Sequence, residues 1–220
     1  MADGKPVEDR RLVVLDVNIY LDVAQLVGEP FSWERFEELA RDHASADLPH
    51  RVDAKIDSLR ALACLVSGRM PDGISVEVWT SDHIDYLVAS KAAMPVDAAD
   101  ERDRGLGWSA ANAQALVDDL VGEVVYRSYG SSIGEVPIAF GTPPLSHEDG
   151  CVYATARDAG YDDAWYERHC ITRDGGFLRA NLTGLIDRSD PSTWVMKHRA
   201  LSRIAAFRRL AAPPAPDGTE

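Results

Sequence analysis

The chain has 220 residues, of which 45% are hydrophobic and 27% charged, a composition typical of a folded globular protein. Its net charge of −13 argues against a protein that holds nucleic acid mainly by neutralising phosphates. It does not exclude an enzyme whose carboxylates bind a divalent cation. No apolar run reaches the roughly 18 residues of a membrane helix, and the charged N-terminus lacks a secretion signal, so we expect a cytoplasmic protein without a membrane partner.

Strands and helices alternate along the first half of the chain. The apolar run in 11–16 predicts a strand buried on both faces, and the short helix that follows over 19–27 ends at Gly28. A second strand is predicted over 74–80, and Ser81 can cap the helix after it. Further helices are predicted over 31–44, 52–67 and 109–121.

The second half continues the alternation less regularly. Residues 123–129 are predicted to be extended, and 130–145 to be a long loop rich in glycine and proline. A helix opening at Ser146 precedes a strand over 169–174, and a basic helix over 194–210 closes the fold. We therefore predict an α/β fold with a mainly parallel central sheet flanked by helices.

Several acidic residues lie at the predicted ends of these elements. Asp16 ends the first strand, Asp82 and Asp85 follow the second, Asp149 opens a helix and Asp174 ends the late strand. Sites in open parallel sheets lie beyond the carboxyl ends of the strands, where these acids can converge. Clustered carboxylates repel unless a cation neutralises them, and oxygen ligands suit Mg²⁺ or Mn²⁺. The pattern indicates metal-assisted hydrolysis of a phosphate ester.

Most of these acids also have a purely structural interpretation. Asp149 stands at capping-box spacing from Ser146, Asp85 fits a solvated helix face, and Asp174 fits a turn before two glycines. Asp16 is harder to explain in this way, because an acid directly after a buried apolar run needs a partner. The three cysteines (Cys64, Cys151 and Cys170) show neither metal-ligand nor disulfide spacing, so we expect buried free thiols.

Four segments in this order resemble PIN domains. Residues 12–22 (LVVLDVNIYLD) resemble the opening strand with its D-x-N motif, and 78–84 (VWTSDHI) resemble the second strand and the helix carrying the second acid. Residues 148–156 (EDGCVYATA) resemble the D-x-x-hydrophobic-x-x-A helix, and 171–177 (ITRDGGF) the final acidic strand end. The resemblance covers 11–190, after a lead over 1–10. A helical insertion over about 31–70 interrupts it, and a basic helix over 191–212 and a disordered tail over 213–220 follow it.

PIN domains have a three-layer fold and are metal-dependent nucleases that mostly act on RNA; many are VapC-like toxins. The resemblance implies that Asp16, Asp149 and Asp174 bind Mg²⁺ or Mn²⁺, that Asn18 orients the carboxylates, and that Thr172 supports the site. Asp85, or in its place Asp82, corresponds to the family's second acid. The implied partners are an RNA substrate, an antitoxin protein and a second copy of the chain.

The sequence departs from the family pattern in three places. The second acid is Asp where the family has Glu, the insertion over 31–70 is long, and the loop over 130–145 is long. A haloacid-dehalogenase-like phosphotransferase is disfavoured, because it requires D-x-D and Asn18 occupies the position of the second Asp. A response-regulator receiver domain is disfavoured in a similar way, because it needs an acidic pair at the end of the first strand. A PIN-fold binding module that no longer cleaves is the remaining alternative.

The final helix allows two interpretations. Its basic residues could steer RNA toward the acidic site, or the helix could dock an apolar face on the sheet with its basic face in solvent. The basic residues are Lys197, Arg199, Arg203, Arg208 and Arg209, and the apolar ones are Val195, Leu201, Ile204 and Leu210.

Overall fold

The computed structural model describes residues 10–44, 53–100, 104–137, 140, 144–161, 166–182 and 186–211. Most of the predicted lead over 1–10, residues 45–52 and the predicted tail over 213–220 lie outside these residues. Within the part of the chain that the structure describes, no helix has both the length and the apolar character needed to cross a membrane.

The centre of the fold is a four-stranded parallel sheet in the order β2-β1-β3-β4. Its strands are β1 (Arg10–Leu15), β2 (Ser75–Trp79), β3 (Tyr166–Ile171) and β4 (Ile186–Ser189). Strand β1 lies in the middle, and its side chains from Leu12 to Leu15 are fully buried, as expected for a strand covered on both faces.

Helices cover both faces of this sheet. They are α1 (Val17–Val27), α2 (Trp33–Ala44), α3 (Ala54–Leu65), α4 (Asp82–Ala93), α5 (Ala110–Leu116), α6 (Glu123–Arg127), α7 (His147–Asp158), α8 (Gly175–Arg179) and α9 (Pro191–Ala211). Parallel crossovers are right-handed, and the β1-to-β2 and β2-to-β3 connections run in opposite directions across the sheet. Their helices therefore cover opposite faces, which confirms the predicted three-layer α/β class.

The predicted insertion over 31–70 is part of the core. Helix α3 packs against both α1 and α9. Phe36 of α2 and Leu59 and Leu62 of α3 are almost completely buried among the core side chains. This segment therefore helps to form one helical layer of the fold.

The structure corrects two predicted elements. Residues 123–129 were expected to be extended, but Glu123–Arg127 form α6, which continues α5 through a π-helical turn (Val117–Gly122). Leu116, Leu120 and Val124 are fully buried at helical spacing, and this periodicity outweighs the β-branched residues of the segment. The late strand ends at Ile171, before Asp174, and the short edge strand β4 was not predicted.

Helix α9 packs mainly on α3, and its start also contacts the sheet on which the docking interpretation placed it. At its start, Trp194 and Val195 are buried, and the Trp194 ring contacts His169 of β3. Ile204 is 49% exposed, so among the described side chains the predicted apolar face is buried only over the first part of the helix. The side chains of Arg209 and Leu210 lie outside the described residues.

Candidate active site

The register of β1 and β3 brings Asp16 and Thr172 side by side. Leu15 pairs with Ile171, and the Asp16 N–H donates to the Ile171 carbonyl over 2.9 Å, so the next residue of each strand lies at the same sheet edge. There the Thr172 hydroxyl donates to Asp16 Oδ2 over 2.6 Å. Both side chains are buried, so parallel pairing fixes the geometry of this contact.

Asn18 joins Asp16 to the segment that follows β3. From the first turn of α1, its Nδ2 donates to Asp16 Oδ2 over 2.5 Å. Its Oδ1 accepts the Arg173 N–H over 3.2 Å. The D-x-N spacing thus lets the amide side chain hold the same carboxylate oxygen that Thr172 holds.

Asp174 lies at the N-terminus of α8, where it acts as the helix cap. Its carboxylate accepts the N–H groups of Gly176 and of Phe177, the latter over 2.9 Å. Its own N–H donates to the Thr172 hydroxyl over 2.9 Å. The turn interpretation of Asp174 is therefore correct, and the same turn also carries this carboxylate toward Asp16.

Asp149 lies in the first turn of α7, and the capping interpretation is also confirmed. Its N–H donates to Ser146 Oγ over 3.1 Å, and the Ser146 hydroxyl donates back to Asp149 Oδ2 over 2.8 Å. The capping contact leaves the carboxylate within electrostatic range of Asp16 and Asp174.

We call Asp16, Asp149 and Asp174 the aspartate group, because their charges act on one another. Burial raises the pKa of Asp16, which is only 7% exposed, to about 6. The Thr172 hydrogen bond opposes this rise, and the charges of Asp149 and Asp174 add to it. Burial also raises the pKa of Asp149, with a contribution from Asp174. Loss of water and repulsion therefore disfavour the ionised forms of Asp16 and Asp149.

The aspartate group is more open than a tight metal cage. Within the described residues, the group whose ligand atoms all lie within 4.8 Å of one another is a different one: His83, His147 and Cys151. Mg²⁺ keeps several waters and is usually bound through only one or two carboxylates. An open set of oxygen donors is therefore compatible with this cation.

Asp85 lies in a separate acidic environment. Thr80 Oγ1 donates to Asp85 Oδ1 over 2.7 Å, and burial raises the pKa of this half-buried carboxyl. The charges that raise it further belong to Asp82 and Asp118, not to the aspartate group. The structure thus brings together three of the four predicted acids, and the role of Asp85 stays a prediction.

Arg173 is a nearby residue that the sequence analysis missed. Its guanidinium pairs with Asp22 of α1, a buried carboxylate that also accepts the Ser58 hydroxyl over 2.7 Å. The sequence contains a signal for this residue, because Arg173 lies between Thr172 and Asp174, and a cationic side chain there lies close to the acidic side chains of the motif.

Cys151 lies beside two histidines, a grouping that the predictions for the three cysteines did not include. Cys151 follows His147 by one turn of α7, and His83 of α4 completes the group. The i, i+4 spacing on a predicted helix was a usable signal, because it places both side chains on one face. Cys151 and Cys170 are buried free thiols as predicted, and Cys64 is half-buried.

Comparison of the chain with protein-family models, with curated proteins and with solved structures finds no match.

Proposed function

We propose that this protein is a metal-dependent endoribonuclease that hydrolyses RNA phosphodiesters. The observation that carries the proposal is the aspartate group, in which three carboxylates from distant parts of the chain act on one another at the carboxyl edge of a parallel sheet. Sites in this fold class lie at that edge. The three positions are those that the resemblance to PIN domains implies for metal ligands.

The donor set fits Mg²⁺ or Mn²⁺. Asp16, Asp149 and Asp174 offer only oxygen atoms, and a divalent cation would offset the burial and the repulsion that together raise the pKa of Asp16. Such a cation, when bound, stabilises charge on a phosphoryl group and supplies a nucleophile at neutral pH.

The neighbouring residues hold this group in place. Thr172 and Asn18 both donate to Asp16 Oδ2, so two hydrogen bonds fix the carboxylate of the most buried member. Because hydrogen bonds to an ionised carboxylate favour its charged form, they also keep Asp16 available as a ligand at neutral pH. In this proposal the leaving 3′-oxygen takes its proton from solvent.

RNA, an antitoxin protein and a second copy of the chain are the partners in this proposal. Support for RNA comes from α9, where Lys197, Arg203 and Arg208 are exposed on an otherwise acidic protein. Such cations can attract a phosphate backbone that the carboxylates alone would repel. The structure therefore adds to the steering interpretation of this helix, although its first turns are packed against the core.

The experiment is cleavage of a mixed RNA pool with Mg²⁺ or Mn²⁺. We expect wild-type cleavage that EDTA abolishes, and loss of cleavage in Asp16→Asn and in Asp174→Asn. Asp97→Asn, at an exposed position, is the matched control and should cleave normally. Full cleavage by either site variant would overturn the assignment of the site.

A binding module that no longer cleaves is the second candidate. It is favoured by the surroundings of Asp85, because the charges that act on this residue belong to Asp82 and Asp118. The aspartate group therefore contains three acids instead of the predicted four. RNA binding by the wild type without cleavage under any divalent cation, unchanged in Asp16→Asn, would support this candidate over the nuclease.

A further inference from the structure

Two imidazoles and a thiol meet where α4 packs against α7. His83 comes from the first turn of α4, and His147 and Cys151 come from successive turns of α7. Their ligand atoms all lie within 4.8 Å of one another, and the Cys151 sulfur is 3.7 Å from His147 Nε2. We call these three residues the His–Cys cluster.

The surroundings hold this cluster in position. Cys151 is 3% exposed, and His83 Nε2 is buried without a hydrogen-bond partner among the described residues. The two imidazole rings meet edge to face, with centroids 5.8 Å apart. A buried ring nitrogen without a partner is unfavourable, and a metal ion is one ligand that would satisfy it.

The helix pairing is fixed one turn further along α7. Thr155 follows Cys151 by four residues, and its hydroxyl donates to Ser81 Oγ, at the N-terminus of α4, over 2.9 Å. Residues 147, 151 and 155 thus form one face of α7 directed at α4. The backbone positions that carry the cluster are therefore set by helix packing.

We propose that His83, His147 and Cys151 bind Zn²⁺. Zinc prefers nitrogen and sulfur ligands in a tetrahedral arrangement, and ordinary Zn–N and Zn–S bond lengths put such ligand atoms about 3.6 Å apart. The observed 3.7 Å between sulfur and imidazole nitrogen matches this spacing. The remaining ligand atom lies within 4.8 Å, so a shift of about 1 Å, which side-chain rotation supplies, closes the site.

The binding step involves no change of oxidation state. The Cys151 thiol releases its proton to solvent and binds as thiolate, while both histidines bind as neutral imidazoles. His147 is exposed, so water fills the fourth position from the solvent side. Burial, and after it the charge of Glu148, raise the pKa of the Cys151 thiol, so the cation must displace a proton that is held more tightly than usual. The same negative charge attracts that cation, although Lys91 lies 3.5 Å from the Glu148 carboxylate.

The zinc site is distinct from the aspartate group in chemistry and in position. Its nitrogen and sulfur ligands select a softer cation than Mg²⁺, and it joins α7 to α4 instead of to the strand ends. Asp149 lies in the same first turn of α7 as His147, so bound zinc would hold that turn against α4. The proposal does not depend on nuclease activity.

Co²⁺ titration of the metal-free full-length protein tests this proposal, because a thiolate bound to Co²⁺ gives a near-ultraviolet charge-transfer absorption that Zn²⁺ abolishes by displacement. We expect this absorption to saturate at one Co²⁺ per chain. It should be lost in Cys151→Ser and lost or much weakened in His83→Gln. It should be retained in Cys64→Ser, the matched cysteine control, and in Asp16→Asn, which separates this test from that of the nuclease.

Absence of the absorption in the wild type, or its persistence in Cys151→Ser, would overturn the proposal, as would its loss in Cys64→Ser alone. Thermal unfolding distinguishes a lost site from a lost fold. Zn²⁺ should raise the Tm of the wild type and of Cys64→Ser but not of His83→Gln, whose metal-free Tm should remain measurable as a cooperative transition. An equal rise in Tm for His83→Gln would also overturn the proposal.

Discussion

Replacing Asp16 with Asn should stabilise the metal-free protein at neutral pH. Burial and the neighbouring aspartates raise the pKa of Asp16 from 3.8 to about 6, so folding opposes ionisation of this side chain. Converted to free energy, that difference corresponds to about 3 kcal/mol. Asn keeps a side-chain oxygen that can accept the hydrogen bonds from Thr172 and Asn18, and it carries no charge.

The pH dependence has a defined direction. Well below pH 3.8, Asp16 is protonated in both the folded and the unfolded state, and its stabilising contribution is fully present. As the pH rises toward 6, the unfolded state loses its proton first, so this contribution is lost. The advantage of Asp16→Asn over wild type should therefore grow by about 2 kcal/mol between pH 4 and 6 and level off near pH 7, where the whole difference of about 3 kcal/mol is reached.

Urea unfolding in EDTA at pH 4, 5, 6 and 7 measures this difference as a change in the free energy of unfolding. Asp97→Asn is the matched control, because it removes an exposed carboxylate, and its difference from wild type should stay within about 0.5 kcal/mol at every pH. A constant difference between Asp16→Asn and wild type across this range would refute the electrostatic argument. So would a destabilisation that grows with pH.

Three further substitutions test the surroundings of the site. Thr172→Val removes the hydroxyl that donates to Asp16 and accepts the Asp174 N–H. It should lower the free energy of unfolding by about 1–3 kcal/mol and the rate of RNA cleavage by about tenfold. Arg173→Ala leaves the buried Asp22 carboxylate with only the Ser58 hydroxyl and no cation beside it, and urea unfolding should show a loss of about 1–3 kcal/mol. Asp85→Ala should lower RNA cleavage by about tenfold and more than Asp82→Ala, because Asp85 is half-buried and held by a hydrogen bond whereas Asp82 is exposed.

Each of these has its own contrary outcome. Unchanged cleavage in Thr172→Val would mean that the Thr172 hydroxyl does not support the site. The control is Thr193→Val, which changes an exposed threonine on α9. An Arg173→Ala protein as stable as wild type would show that water replaces the guanidinium. If Asp82→Ala has the larger effect, the second acid is Asp82.

The sequence predicted the central sheet because buried parallel strands carry a strong local signal. Residues 12–15 form an uninterrupted apolar run, and the D-x-N motif directly after it places Asp16 and Asn18 beyond the strand end. Positive φ at Gly28 (+93°) ends α1 where the sequence analysis ended it. The contact between Asp16 and Thr172 then follows from the parallel pairing of β1 with β3. The local sequence pattern predicts the strands, and the fold class predicts that they run parallel.

The remaining features depend on tertiary contacts that a local pattern does not contain. Edge strand β4 is four residues long and includes Asp187 and Arg188, so it has no apolar run to reveal it. The charges that act on Asp85 come from Asp82 of α4 and from Asp118 of the π-helical turn, so they depend on how α4 packs against that turn. The His–Cys cluster likewise requires α4 and α7 to be neighbours, although 64 positions separate His83 from His147 in the sequence.

Calorimetric titration with Mg²⁺ tests the central claim most directly, namely that the aspartate group binds a divalent cation. Mg²⁺ is the right probe because imidazole and thiolate ligands do not favour it, and Cys151→Ser controls for the second site. The account predicts equal binding by the wild type and Cys151→Ser, and binding weakened by at least about tenfold in Asp16→Asn. Absence of Mg²⁺ binding in the wild type, or unchanged affinity in Asp16→Asn, would contradict it.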